Sequence, residues 1–210
     1  MYVAIEGPIG VGKTTLARLL AEALGAEPLL EVVEENPFLP LFYQDRKRYA
    51  FKTQVFFLLS RFRQLSRLAE RPLFGGVVAD YLFDKDAIFA SLTLEGPEWD
   101  LYLELYRELS PRLPPPDLTL YLRAPVPVLL ERIARRGRPF EMGMDPGYLE
   151  ALSQAYERHF ARYPHPLLVL EADRLDFSPT GPHREEVVAL VRAHLFGSQD
   201  HVRGHRRQHR

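Results

Sequence analysis

The chain has 210 residues, 46% apolar and 26% charged, which suits one domain with a sizeable core and excludes wholesale disorder. Its net charge of −1 argues against a dedicated nucleic-acid or membrane surface, and zero cysteines remove thiol catalysis, cysteine-zinc sites and disulfides. No apolar stretch approaches the roughly 20 residues that span a bilayer and the strand-like start leaves no room for a signal peptide, so a cytoplasmic protein is expected.

The first expected element is a strand, Tyr2–Glu6, continuously apolar up to its final acid. It runs into Gly7-Pro8-Ile9-Gly10-Val11-Gly12-Lys13-Thr14, followed by Thr15, which matches G-x-x-x-x-G-K-[ST], and then into a helix over Lys13–Leu24. Strand, glycine-rich turn and helix are the context this motif needs. The glycines let backbone N–H groups turn onto phosphate oxygens, and the helix adds the positive end of its dipole. Lys13 would reach the β- and γ-phosphates and Thr14 would ligate Mg²⁺. The motif points to a nucleoside triphosphate, with ATP favoured because no N-K-x-D guanine-reading sequence occurs.

A second strand is expected over Leu29–Val33, overlapping the acidic run Glu31-Val-Val-Glu34-Glu35-Asn36-Pro37. In an α/β sheet the carboxyl ends of the strands form the ligand crevice. A carboxylate there can accept a proton from an attacking hydroxyl. It tolerates a neutral alcohol but repels a nucleoside monophosphate. Next comes a long helix, Lys47–Glu70, whose apolar residues form a wide stripe that suits core packing and could continue into a dimer contact.

The third strand, Val77–Ala79, ends in Asp80, the usual place for a Mg²⁺-water ligand. A helix over Trp99–Leu109, a stiff Pro111–Pro116 loop and a fourth strand, Leu118–Leu122, follow. The helix Pro127–Arg136 carries Arg132, Arg135, Arg136 and, just beyond it, Arg138, a cluster suited to phosphoryl oxygens. Gly137 and Pro139 mark a loop, about residues 135–146, that could close as a lid. The last elements are a helix over Tyr148–Arg162, a strand over Leu167–Leu170 and a helix over Arg184–Leu195. Residues 198–210 form a basic tail that reads as a solvated, disordered terminus beyond a domain of residues 1–197.

These pieces, in this order, resemble the deoxynucleoside kinase family across most of the chain. The resemblance rests on the phosphate loop, Glu35-Asn36-Pro37, Phe42-Tyr43, Tyr49-Ala-Phe51 with Gln54, Ser60-Arg61, Asp80, Ile88-Phe89-Ala90, and Arg136-Gly-Arg138 with Glu141. It implies a P-loop kinase fold, α/β, with a five-stranded parallel sheet flanked by helices on both faces, and a homodimer formed through a helix pair. It implies transfer of phosphate from ATP with Mg²⁺ to the 5′-hydroxyl of a deoxynucleoside, with Glu35 as general base. Tyr43 and Glu141 would hold the sugar 3′-hydroxyl. Gln54, Arg61 and Asp86 would read the base, with Phe89 stacking on it. Lys13, Asp80, Arg132, Arg136 and Arg138 would act on the phosphates, and Asp173 would lie near the adenine.

One departure stands out. Many members carry an acid-Arg-Ser triplet after the third strand, where this chain reads Asp80-Tyr81-Leu82. Either Lys85 supplies the missing charge or it is an exposed surface lysine. The variant resembles the deoxyguanosine-kinase-like members and tilts the expected substrate toward a purine. Two rival readings remain from sequence: a nucleoside monophosphate kinase of the thymidylate type, and a non-enzymatic ATP-binding module, regulatory or associated with nucleic acid, with the basic tail as its contact arm.

Overall fold

The computed structural model describes residues 1–70 and 75–197; the basic tail lies outside the described residues. The apolar runs form five strands, β1 (Tyr2–Glu6), β2 (Glu27–Leu29), β3 (Val77–Ala79), β4 (Leu118–Arg123) and β5 (Leu167–Glu171). They pair in the order β2-β3-β1-β4-β5, every pair parallel. All residues of β1 and β3 and all but the last of β4 are buried, so helices cover both faces of the sheet centre. The edge strands β2 and β5 are partly exposed.

The helices among the described residues are α1 (Lys13–Leu24), α2 (Leu39–Gln44), α3 (Arg46–Glu70), α4 (Asp84–Thr93), α5 (Gly96–Leu109), α6 (Val126–Arg136), α7 (Pro146–Phe160) and α8 (Arg184–Phe196). α1 packs over β1, β2 and β3 and meets α8, while α4 joins α3, α5 and α7 in a second group. α2 and α4 were not expected from sequence. α2 is short, and α4 is almost evenly apolar around its circumference, so neither shows a clear 3.6-residue stripe.

One shift in an element bound matters for the site. The second strand ends at Leu29, not at Val33, and a single 3-10 turn spans Val33–Glu35. Only Leu29 pairs with Ala79 at the carboxyl end of β3, and the next residues already leave the sheet.

Candidate active site

The phosphate loop leaves the carboxyl end of β1 and enters α1 through Gly12, whose φ of 106° is a left-handed value that favours glycine. Gly7 admits no side chain, since a Cβ there would sit 2.3 Å from the Leu122 carbonyl oxygen. The loop is anchored from below by Glu6, a fully buried carboxylate. Glu6 accepts the N–H of Gly7 at 2.8 Å, the N–H of Leu82 at 2.9 Å and the Tyr156 hydroxyl at 2.9 Å. Lys13 Nζ lies 3.7 Å from the same carboxylate and donates to the Gly7 carbonyl at 2.6 Å. Burial, with Lys85 nearby, lowers the Lys13 ammonium to about 8.

Ile9–Thr15 line a cavity of about 910 Å³ at the carboxyl ends of the strands, within the range that holds nucleotide-sized ligands. Gly7 and Pro8, expected to contact nucleotide, do not line it. At its foot the Thr14 hydroxyl donates to Asp80 Oδ2 at 2.7 Å, and Asp80 Oδ1 accepts the backbone N–H of Glu31 at 2.7 Å. Burial raises the Asp80 carboxyl above its ordinary value, with the Thr14 hydrogen bond opposing.

The sequence reading places the general base at Glu35, which the structure sets outside the cavity. Glu35 is exposed on the 3-10 turn and does not line the cavity. Because β2 stops four residues early, the acid that follows its tip is Glu31, and Glu31 does line the cavity. Its carboxylate takes Arg61 Nε and Nη2, each at 2.6 Å, on one oxygen and Lys85 Nζ at 2.8 Å on the other. Burial alone would raise the Glu31 carboxyl, but Arg61 and Lys85 together hold it well below the usual carboxylate range. Lys85 is buried and lines the cavity, so it is not an exposed surface lysine.

Arg61 Nη1 also reaches Asp86 Oδ2 at 2.5 Å. Asp86 itself is fully buried and does not line the cavity, so its expected direct contact with the base gives way to a place behind Arg61. One guanidinium thus serves two acids. Glu31 has Lys85 as a second cation and stays ionised, whereas burial pushes Asp86 up to about 6 against the pull of Arg61.

Gln54, Phe89, Tyr43 and Glu141 line the remaining wall. The Gln54 Oε1 atom is buried and has no hydrogen-bond partner among the described residues. Phe89 presents its ring beside Lys85, 5.6 Å from Nζ to centroid. Tyr43 stacks on Phe140 at 6.0 Å, next to Glu141, and its burial lifts the phenol well above its ordinary value.

The arginine cluster closes the upper side. Arg132 donates to the Val11 carbonyl at 3.1 Å and the Ala172 carbonyl at 2.8 Å. Arg136 donates to Glu141 at 2.5 Å, and Arg138 lies 3.3 Å from Glu141 and 3.2 Å from Glu34. All three line the cavity with Asp173, and Phe177 packs beside the backbone of Gly12. A phosphate loop, an acid beside it, an orphan amide and a set of arginines therefore face one space.

Comparison with known proteins identifies the family. The deoxynucleoside kinase family model matches residues 3–196. The chain belongs to the deoxynucleoside kinase family. It is 38% identical over 198 residues to deoxyguanosine kinase of Bacillus subtilis (strain 168), covering 91% of this chain and 96% of the relative. It is 31% identical to deoxyadenosine kinase of Lactobacillus acidophilus (strain ATCC 700396 / NCK56 / N2 / NCFM), covering 90% and 94%. Among solved structures, deoxyadenosine kinase from M. mycoides with products dCMP and a flexible dCDP superposes with a TM-score of 0.80 at 28% identity, over 93% of this chain and 99% of that one. The protein is a phosphotransferase with the P-loop kinase fold, which sets aside the reading as a non-enzymatic binding module.

Three residues of this deoxynucleoside kinase escaped the sequence reading. Glu31 was visible as an acid near a strand tip, and the misplaced strand end hid it. Glu6 looked like the polar close of an apolar strand. Tyr102, which donates to Asp86 from α5, carried no signal, because only the fold brings it to a residue 16 positions earlier.

Proposed function

We propose that this protein phosphorylates the 5′-hydroxyl of a deoxynucleoside with ATP and Mg²⁺, and that Glu31 is the general base. The observation that carries the proposal is the bridge through Asp80, which ties the phosphate-binding Thr14 to the backbone of Glu31 within one cavity.

The residues divide the work as follows. Backbone N–H groups of Gly10–Thr14 and the Lys13 ammonium receive the triphosphate. Thr14 and Asp80 supply two hard oxygens, a donor set that suits Mg²⁺ alongside phosphate and water, and the residues fit the ion. Bound there, Mg²⁺ would neutralise charge on the phosphates. Glu31 orients the acceptor hydroxyl and takes its proton. Its depressed pKa makes it a weak base, which suffices where the transition state is loose and positioning dominates. Arg132, Arg136 and Arg138 stabilise charge on the equatorial oxygens, with residues 135–146 as a lid. Tyr43 and Glu141 hold the sugar, and Gln54 and Arg61 face the base, with Phe89 against it and Asp173 near the adenine.

The substrate we favour is a purine deoxynucleoside. The support is the similarity to deoxyguanosine and deoxyadenosine kinases, together with the Gln54 amide side chain lining the cavity. Glu31 beside the acceptor position disfavours a monophosphate, and hence the thymidylate-type alternative, by like-charge repulsion. A homodimer in the cytoplasm completes the reading. Leu59 on α3 and Leu101 and Leu105 on the neighbouring α5 are exposed apolar residues that a partner helix pair would cover. No helix among the described residues is long and apolar enough to cross a membrane.

The deciding assay offers deoxyguanosine, deoxyadenosine, deoxycytidine and thymidine with ATP, beside dGMP and dTMP, and compares kcat/KM. Preference for a monophosphate acceptor would overturn the proposal, and preference for a pyrimidine would overturn its choice of base.

A further inference from the structure

We infer that Tyr102 is a positioning residue for base recognition: from a helix outside the cavity, its hydroxyl fixes the Asp86 carboxylate that aims Arg61 into the site. The inference rests on reading the cavity as a deoxynucleoside site.

Of the 14 residues of α5, Tyr102 alone is buried. The ring sits in an aromatic series, 5.9 Å from Trp99 and 6.4 Å from Tyr106, which in turn stacks on Phe83 at 5.3 Å. That series holds the ring by packing alone, so a phenylalanine would serve the core equally well. A buried hydroxyl is costly unless it is hydrogen-bonded, and this one donates to Asp86 Oδ1.

Asp86 is faced by Arg61 from α3, Tyr102 from α5 and Glu31 from the loop after β2, with Lys85 beside it on α4. Of these, only Arg61 and Tyr102 bond to it. Neither Tyr102 nor Asp86 lines the cavity, while Arg61 does. Tyr102 therefore acts at one remove. By donating to the carboxylate it favours the charged form of Asp86, which in turn fixes the third N–H direction of a guanidinium already held by Glu31. Without the phenol, Asp86 has a single donor and takes up a proton more readily, and Arg61 loses one of its two anchors.

The test compares the wild type with Y102F, which keeps the ring and deletes only the donor. The expected result is a deoxynucleoside KM raised about tenfold, the scale of one hydrogen bond to a charged group. The KM for ATP and the kcat should stay within twofold. In the pH profile of kcat/KM for the deoxynucleoside, the wild type should lose efficiency on the acid side near pH 6, and Y102F should lose it at higher pH. In a D86N background the Y102F change should add less than twofold. A fall in kcat, an equal rise in both KM values, or an effect that persists with D86N would reduce Tyr102 to a structural role and overturn the inference. A wild-type profile flat from pH 5 to 8 would overturn it without any variant. A wild type inactive on every deoxynucleoside refutes the functional reading instead, and is separable because it appears before any substitution is made.

Discussion

Asp80 accepts the hydroxyl of Thr14 at 2.7 Å, and with its other oxygen accepts the backbone N–H of Glu31. A single side chain thereby sets the separation between the phosphate loop and the acceptor loop. Asp80→Asn preserves the shape but removes the charge and one of the two acceptors. Losing a hydrogen bond to a charged group amounts to about 1.5–3 kcal/mol, so kcat should fall roughly 10- to 100-fold. The Mg²⁺ activation curve should also move to higher concentration if Asp80 holds the ion as proposed. An unchanged Mg²⁺ requirement would separate Asp80 from the metal and leave it a purely structural bridge.

The two candidate bases are four residues apart and structurally opposite. Glu31 is paired inside the cavity, while Glu35 is exposed outside it. Glu31→Gln should lower kcat by about 10²–10⁴, the range for loss of a general base, and Glu35→Gln should stay within twofold of wild type. Measuring ATP binding directly in both variants checks that the loss belongs to transfer. The reverse ranking, with Glu35→Gln the damaged enzyme, would return the role to the turn and discard the site as described.

The contrast between Glu31 and Glu35 also shows how far the sequence carries. The phosphate loop was legible because its chemistry is local: consecutive residues must turn together onto one ligand. α1 was legible to the residue, since Lys13–Leu24 is bounded by Gly12 and by a left-handed Gly25. Strand ends lack such punctuation. The run Leu29–Val33 is apolar enough to continue, and only pairing with a β3 of three residues stops it at Leu29. The ion-pair set of Glu31, Arg61, Lys85 and Asp86 joins α3, α4 and the loop after β2, so no spacing rule reveals it. The sequence named Arg61, Lys85 and Asp86 as candidates, but their partners are a property of the fold.

Asp86 gives the stability a defined pH signature. Its folded pKa, about 6, lies above that of a free carboxylate, so the folded protein holds a proton that the unfolded chain releases between roughly pH 4 and 6. Stability from this group is greatest below that window and is lost as pH rises through it. Glu31 behaves oppositely: its contribution is present above the free carboxylate value and disappears only in stronger acid. Asp86→Asn removes the first dependence and leaves the second. Thermal unfolding of both proteins at several pH values should show the variant gaining on the wild type between pH 4 and 6. A constant difference across that range would mean that Asp86 titrates as an ordinary carboxylate.

The outer face of α5 tests the proposed assembly. Leu101 and Leu105 are exposed on this helix, and Glu98, Glu104 and Arg107 around them are exposed as well. An apolar pair with a charged rim has the anatomy of an interface centre. Leu105→Glu puts a charge where a second copy would bury a leucine, and should shift the mass measured by light scattering from dimer to monomer. If the wild type is already a monomer, or the variant remains a dimer, this face is not the contact.

Gln54 offers a test in which binding and stability should move in opposite directions. Its side chain is buried on α3 and faces the cavity, yet Oε1 has no partner among the described residues. A buried acceptor left unmade costs about 1–3 kcal/mol, a cost that a leucine would abolish. Gln54→Leu should therefore raise the Tm of the ligand-free protein by a few degrees, since about 1 kcal/mol corresponds to roughly 2–4 °C at this chain length. The same change should raise the deoxynucleoside KM about 10- to 100-fold and erase the Tm increase that deoxynucleoside gives the wild type. A residue kept for packing alone would show a lower Tm and an unaltered KM. The opposite pair of results is what a polar side chain kept for ligand binding rather than for packing requires.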